Sequence, residues 1–146
     1  MKIKNYNIFY TDDDSDDKEI FKEIINELHP DFSIEFQSDG SELLDRLKEI
    51  DYKPDIVFLD INMPFVDGFQ VLSELRQSLA NKDFPVVILS TSNDTDAIAK
   101  AKNAGATFYV CKPNSYTKFK DILAELLGFN WANDIQSQHF KDFVYA

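Results

Sequence analysis

Asp55-Ile56-Val57-Phe58-Leu59-Asp60 is followed by Ile61-Asn62-Met63-Pro64 and then by Asp67-Gly68. An unbroken apolar run between two carboxylates suits a strand buried on both faces, as in the middle of a parallel sheet. A carboxylate placed where such a strand gives way to a loop is held at the carboxyl edge of the sheet, where open α/β proteins build their sites. Asp60 is therefore a candidate phosphoryl acceptor.

Runs of the same kind lie on either side, at 7–10, 32–36, 86–89 and 107–111, with 56–59 in the centre. All are rich in β-branched or aromatic residues and bounded by polar or turn residues, which predicts five strands. Between them, apolar residues recur with helical spacing: Ile20, Phe21, Ile24, Ile25 and Leu28; Leu43, Leu44, Leu47 and Ile50; Phe69, Leu72, Leu75 and Leu79. A fourth helix carries Ala97, Ile98, Ala101 and Ala104 and stops at Gly105; a fifth carries Phe119, Ile122, Leu123, Leu126 and Leu127 and stops at Gly128. Strict alternation predicts an α/β fold, a (βα)5 doubly wound parallel sheet with right-handed crossovers, in a three-layer α/β/α sandwich. The strand order 2-1-3-4-5 is taken from common flavodoxin-like sheets. Residues 1–128 form the predicted domain. Residues 129–146, with Ile135, His139, Phe140 and Phe143 as one stripe, are too few for an output domain and are expected to pack on it as an extra turn or helix.

With 146 residues, 44% apolar and 14% aromatic, the chain can bury one core. A formal charge of −11 argues against nucleic acid as a partner, because neutralising phosphates needs clustered Lys and Arg. No stretch approaches the roughly 20 apolar residues of a membrane span, and the N-terminus lacks a secretory h-region, so no membrane partner and a cytoplasmic location are expected. Cys111 is the only cysteine and its setting reads as core packing. His29, before Pro30, reads as a helix end, and His139 as packing in the tail.

The first strand ends in Thr11-Asp12-Asp13-Asp14-Ser15-Asp16-Asp17. If strands one and three are neighbours, Asp12 and Asp13 come beside Asp60. Carboxylates that close repel one another unless a cation offsets them, which implies a hard divalent ion such as Mg²⁺. Asp14, Asp16 and Asp17 are read as capping the following helix and complementing its dipole. Strand four ends in Ser90 and strand five in Lys112-Pro113, offering a hydroxyl and an ammonium. Metal, ammonium and hydroxyl can together surround a phosphoryl group in transfer. Asp12, Asp13 and Asp60 against Mg²⁺ and Lys112 leave such a site near neutral.

This set, namely Asp12-Asp13, Leu59-Asp60 with Met63-Pro64 and Asp67-Gly68, Ser90 and Lys112-Pro113, resembles the motifs of receiver domains of two-component response regulators over residues 5–127. The resemblance implies that Asp60 takes a phosphoryl group from a histidine kinase or histidine phosphotransfer protein. It implies Mg²⁺, with Mn²⁺ able to substitute, bound by Asp13 and Asp60 directly, by the Asn62 backbone carbonyl, and by Asp12 largely through water. Ser90 and Lys112 would contact the phosphoryl oxygens, and Tyr109, three residues before the lysine, would be the switch aromatic that turns inward with Ser90. The output would be the face of the fourth helix, fifth strand and fifth helix, offered to a downstream protein or to a second copy in a homodimer. The resemblance implies a cis Lys112-Pro113 bond, whereas X–Pro bonds in general are cis in only roughly 5% of cases, so the sequence leaves the isomer open. Such a chain would be a stand-alone phosphoacceptor rather than a turnover enzyme, catalysing only its own phosphorylation and dephosphorylation. The alternative roles are a phosphorelay intermediate or a phosphate sink.

A haloacid-dehalogenase-like phosphatase would need a general acid two residues after its nucleophile, where Asn62 stands, and an amide cannot transfer that proton. An FMN carrier of the same fold would need a phosphate cradle where Asp12, Asp13 and Asp14 would repel the phosphate.

Overall fold

In the computed structural model, residues 6–49, 54–63, 67–78, 84–128 and 144–145 are described. The order is β1 (Asn7–Thr11), α1 (Ser15–Leu28), β2 (Ser33–Gln37), α2 (Gly40–Glu49), β3 (Ile56–Asp60), α3 (Gly68–Ser78), β4 (Val86–Ser90), α4 (Thr95–Ala104), β5 (Phe108–Cys111), α5 (Tyr116–Leu127) and β6 (Val144–Tyr145). The sheet runs β2-β1-β3-β4-β5-β6, and every pairing is parallel. Central β3 and β4 are buried at all five positions each, as expected for runs covered on both faces.

Alternation along the strands sends side chains into two cores. Ile8, Tyr10, Phe58, Leu89 and Val110 meet Phe21, Ile24 and Ile25 of α1 and Phe119, Leu123 and Leu126 of α5. Phe9, Val57, Leu59, Ile88 and Tyr109 meet Leu43 of α2, Leu72 and Leu75 of α3, and Ala101 of α4. The layers are therefore α1 and α5 on one side of the sheet, and α2, α3 and α4 on the other. Within the sequence stripes, Ile20 stays 36% exposed at the edge of the buried face of α1. Ile50 and Leu79 lie outside the described residues.

Helix starts are fixed by side-chain caps. Asp14 accepts from the Asp16 and Asp17 N–H groups, Asp94 from Asp96, and Ser115 from Lys118. Asp67 Oδ1 accepts from Phe69 N–H at 3.0 Å, so the carboxylate of the Asp67-Gly68 pair starts α3. Gly105 ends α4 with φ at 105°, a left-handed conformation that glycine adopts without strain. Gly128 ends α5 in the right-handed region, so its backbone does not require glycine. His29 closes α1, its N–H donating to Ile25 O at 2.7 Å and its ring stacking on Phe32.

Gly68 is needed for space rather than for φ. A Cβ there would sit 2.6 Å from Ile61 Cγ2 and 2.8 Å from Ile61 Cα, the residue directly after Asp60. Gly68→Ala is expected to lower stability by about 2–3 kcal/mol in a urea titration, because backbone rather than a flexible side chain must yield. The same variant should move the Ile61 and Asn62 amide resonances. Unchanged stability and amides would show that the two segments separate freely.

Residues Val144–Tyr145 of the tail form β6, a strand beside β5 with Tyr109 opposite Val144; the extra turn or helix expected before it falls on residues 129–143, outside the described residues. An edge strand with free N–H and C=O groups can pair with any extended segment, and two residues of chain suffice. The stripe of Ile135, His139, Phe140 and Phe143 lies outside the described residues. The Lys112-Pro113 bond is trans, the form X–Pro bonds prefer by about 0.5–1 kcal/mol.

Candidate functional site

Parallel pairing brings four strand ends to one edge. The register sets Thr11 opposite Leu59, Asp60 opposite Leu89, and Ser90 opposite Cys111. Residues one step beyond these ends, Asp12 and Lys112, therefore share that edge with Asp60 and Ser90. Lys112 is tied there by its own N–H, which donates to Ser90 O at 2.7 Å.

The Lys112 ammonium is the hub. Nζ lies 2.8 Å from Asp60 Oδ2, 2.9 Å from Asp17 Oδ2 and 3.3 Å from Asp12 Oδ2. The other oxygen of Asp60, Oδ1, accepts from Asn62 N–H at 2.7 Å. Asp12 is fully buried; its Oδ1 accepts from Asp14 N–H at 3.0 Å and its Oδ2 from the Tyr10 hydroxyl, also at 3.0 Å. Each of these two carboxylates is thus held by a backbone amide on one oxygen and by side-chain donors on the other.

Burial pushes the Asp60 carboxyl up to about 6, against the opposing pull of Lys112 and the Asn62 amide, with the Asp12 charge adding to the rise. Burial alone would lower Lys112, but the hydrogen bond and charge of Asp60, followed by Asp17 and Asp12, outweigh it and hold the lysine above its usual range. Burial, reinforced by Asp12, raises Tyr10, so its hydroxyl stays a donor.

Of the assigned acidic residues, Asp12 and Asp60 converge. Asp13 is exposed and lies outside the cluster. Asp12 follows Tyr10 by two residues and its carboxylate meets the Tyr10 hydroxyl. Asp17, read from sequence only as a helix-start charge, joins instead: one carboxylate oxygen each from Asp12, Asp17 and Asp60 lie within 4.8 Å of one another. Hard carboxylate oxygens this close, with a net charge of −2 after Lys112, fit a divalent cation of the Mg²⁺ type. Tyr10 was missed as well. A hydroxyl two residues before a strand-end carboxylate, on its side, was the signal for it.

Ser90 is fully buried and its Oγ accepts from Ser92 N–H at 3.0 Å. Tyr109 is also fully buried: its ring lies in the core and its hydroxyl donates to Ser92 O at 2.8 Å. The hydroxyl and the aromatic assigned to the switch are thus joined through one residue of the β4–α4 loop. Cys111 reaches the same carbonyl, Sγ to Ser92 O at 3.5 Å, and is half-buried rather than fully in the core. Asn62 bridges loops, its Oδ1 accepting from Thr91 N–H at 3.2 Å.

This geometry has relatives. The chain matches the response regulator receiver domain family over residues 8–124. It is 36% identical over 105 residues to the probable methanogenesis regulatory protein FilR2 of Methanothrix harundinacea, covering 66% of this chain and 68% of that one. It is 30% identical over 114 residues to the chemotaxis protein CheY of Halobacterium salinarum, covering 77% and 92%. Among solved structures, the response regulator RPA3017 in red light signaling of R. palustris superposes with a TM-score of 0.78 at 27% identity, covering 90% of this chain and 96% of that one. The chain spans only 63%, 19% and 10% of the length of three further curated relatives. It belongs to the receiver domain family of two-component response regulators, signalling phosphoacceptors rather than turnover enzymes. No helix among the described residues is long and apolar enough to cross a membrane.

Proposed function

We propose that Asp60 is the phosphoacceptor of this receiver domain and that a histidine kinase or histidine phosphotransfer protein is the donor. A carboxylate oxygen of Asp60 attacks phosphorus, the P–N bond of the donor breaks, and the leaving imidazole nitrogen regains a proton. The observation that carries this reading is the Lys112 ammonium 2.8 Å from Asp60 Oδ2, at a sheet edge shared with Asp12 and the buried hydroxyl of Ser90.

Asp12, Asp60 and the Asn62 backbone carbonyl, with Asp13 next along the chain, would hold Mg²⁺, or Mn²⁺ in its place. When bound, such an ion supplies positive charge for the oxygens of the transferred group. Lys112 adds a second cation and Ser90 a hydroxyl donor. Both gain acceptor oxygens only when Asp60 is phosphorylated, so their differential contacts shift the population of the fold. Ser90 connects through Ser92 to Tyr109, and Tyr109 to the face of α4, β5 and α5, where a downstream protein or a second copy of the chain would dock. β6 lies along β5 on that face.

Incubation with phosphoramidate and Mg²⁺ is expected to add one phosphoryl group per chain, absent without the ion. The label should survive mild acid and be discharged by hydroxylamine, as an acyl phosphate must be, with mass spectrometry as the readout. A label that resists hydroxylamine, or none at all, would overturn the assignment.

A further inference from the structure

We infer that Asp17 is a positioning residue for Lys112, keeping its ammonium at the acceptor when a divalent ion takes the other carboxylates. In this structure the ammonium is shared three ways, with Asp60, Asp17 and Asp12 at 2.8, 2.9 and 3.3 Å. Two of these partners, Asp12 and Asp60, are assigned to the ion. A cation of charge +2 competes with the ammonium for their oxygens, and at short range the repulsion between the two cations drives the ammonium away. Asp17 shares the carboxylate cluster but is not one of the ligands assigned to the ion, so its oxygen stays with the ammonium. Asp17 stands on the first turn of α1, anchored by its N–H to Asp14 Oδ1 at 3.2 Å, and its side chain is 36% exposed.

The placement follows from the cap. Asp14 starts the helix, so Asp17, three residues on, folds back over the helix N-terminus toward the strand ends. Asp16 sits on the same turn and is exposed, without an ion pair to Lys112. Its carboxylate serves as an internal control for charge alone.

Asp17 also alters the charge count. Asp12, Asp17 and Asp60 contribute −3, Lys112 contributes +1, and a divalent ion closes the sum to zero. Removing Asp17 therefore weakens attraction for the ion and frees the ammonium to compete for Asp60. Both effects act in the same direction.

This inference rests on the reading of Asp60 as an ion-dependent phosphoacceptor, and the experiment separates the two. Mg²⁺ binding to wild type, Asp17→Asn and Asp16→Asn is measured by calorimetry, and the Lys112 ¹⁵Nζ resonance is followed in saturating Mg²⁺. Asp17→Asn is expected to weaken Mg²⁺ binding roughly tenfold, as loss of one nearby negative charge implies for a divalent ion in a highly screened setting. Its Lys112 ammonium signal should broaden through exchange with water, while wild type and Asp16→Asn keep a sharp one. Asn is tolerated on a first helical turn, so the fold is retained. Equal affinity in Asp17→Asn and wild type, or an ammonium signal as sharp as in wild type, would overturn the role of Asp17 alone. Failure of the wild type to bind Mg²⁺ would overturn the phosphoacceptor reading beneath it.

Discussion

Asp60→Asn is expected to remove the phosphoryl label entirely and, without divalent ions, to raise stability by about 2 kcal/mol at neutral pH. The gain follows from linkage. Burial lifts the folded-state pKa of Asp60 to about 6 from the usual 3.8, so the protonated form is the favoured one inside the fold. A group raised in this way contributes stability below about pH 4 and loses it as pH climbs through about 6. Two units correspond to about 3 kcal/mol of strain in the ionised wild type at pH 7. Asparagine does not titrate, still accepts from Asn62 N–H, and leaves Lys112 paired with Asp12 and Asp17, which trims the gain to about 2 kcal/mol. The difference should shrink toward zero near pH 4 and also in millimolar Mg²⁺, which stabilises the wild type by mass action. Urea titrations across pH would check it. A gain that does not vary with pH would mean that the strain is steric, and a phosphorylated variant would place the acceptor elsewhere.

Much of this site was legible because parallel sheets collect strand ends. Asp60, Ser90 and Lys112 each follow an apolar run, and once those runs are buried and paired the three residues have nowhere else to go. Asp12 was legible for the same reason. Asp13 and Asp17 were harder, since both depend on how the chain turns after β1. The turn is set by Asp14 as cap, and a cap fixes which of the following carboxylates faces the sheet edge. An acidic first turn has a sufficient local explanation in the helix dipole, which hid the distant partner of Asp17. β6 was illegible on different grounds: two residues carry no periodicity, and their pairing depends on β5 having an edge left to fill.

The inward ring of Tyr109 bears on how the switch would work. Its hydroxyl already donates to Ser92 O, and Ser92 N–H donates to Ser90 Oγ, so Ser90 cannot move toward a phosphoryl group without disturbing what holds the ring. The coupling is short and made of two part-buried hydrogen bonds, through Ser92, between the fully buried Ser90 and Tyr109.

Lys112→Ala is expected to lower stability by about 3–5 kcal/mol at pH 8 without divalent ions, the size expected when one member of a buried ion pair is removed. Its side chain is 12% exposed and it neutralises Asp60 and Asp12, which are 5% and 0% exposed. Their hydrogen bonds from Asn62, Asp14 and Tyr10 persist, so the loss is mainly electrostatic. Without the ammonium, the Asp60 pKa must rise further. A carboxyl raised above its unfolded value destabilises the fold only once ionised, so the deficit against wild type grows with pH and is smallest near pH 5. Mg²⁺ replaces the missing charge and should recover much of the loss, even though phosphorylation by phosphoramidate is slowed. Lys112→Met retains the apolar stem and separates packing from charge. If Met restores stability, or if the deficit is the same at pH 5 and pH 8 and indifferent to Mg²⁺, the lysine holds the fold through its alkyl chain, and the electrostatic account of this site fails.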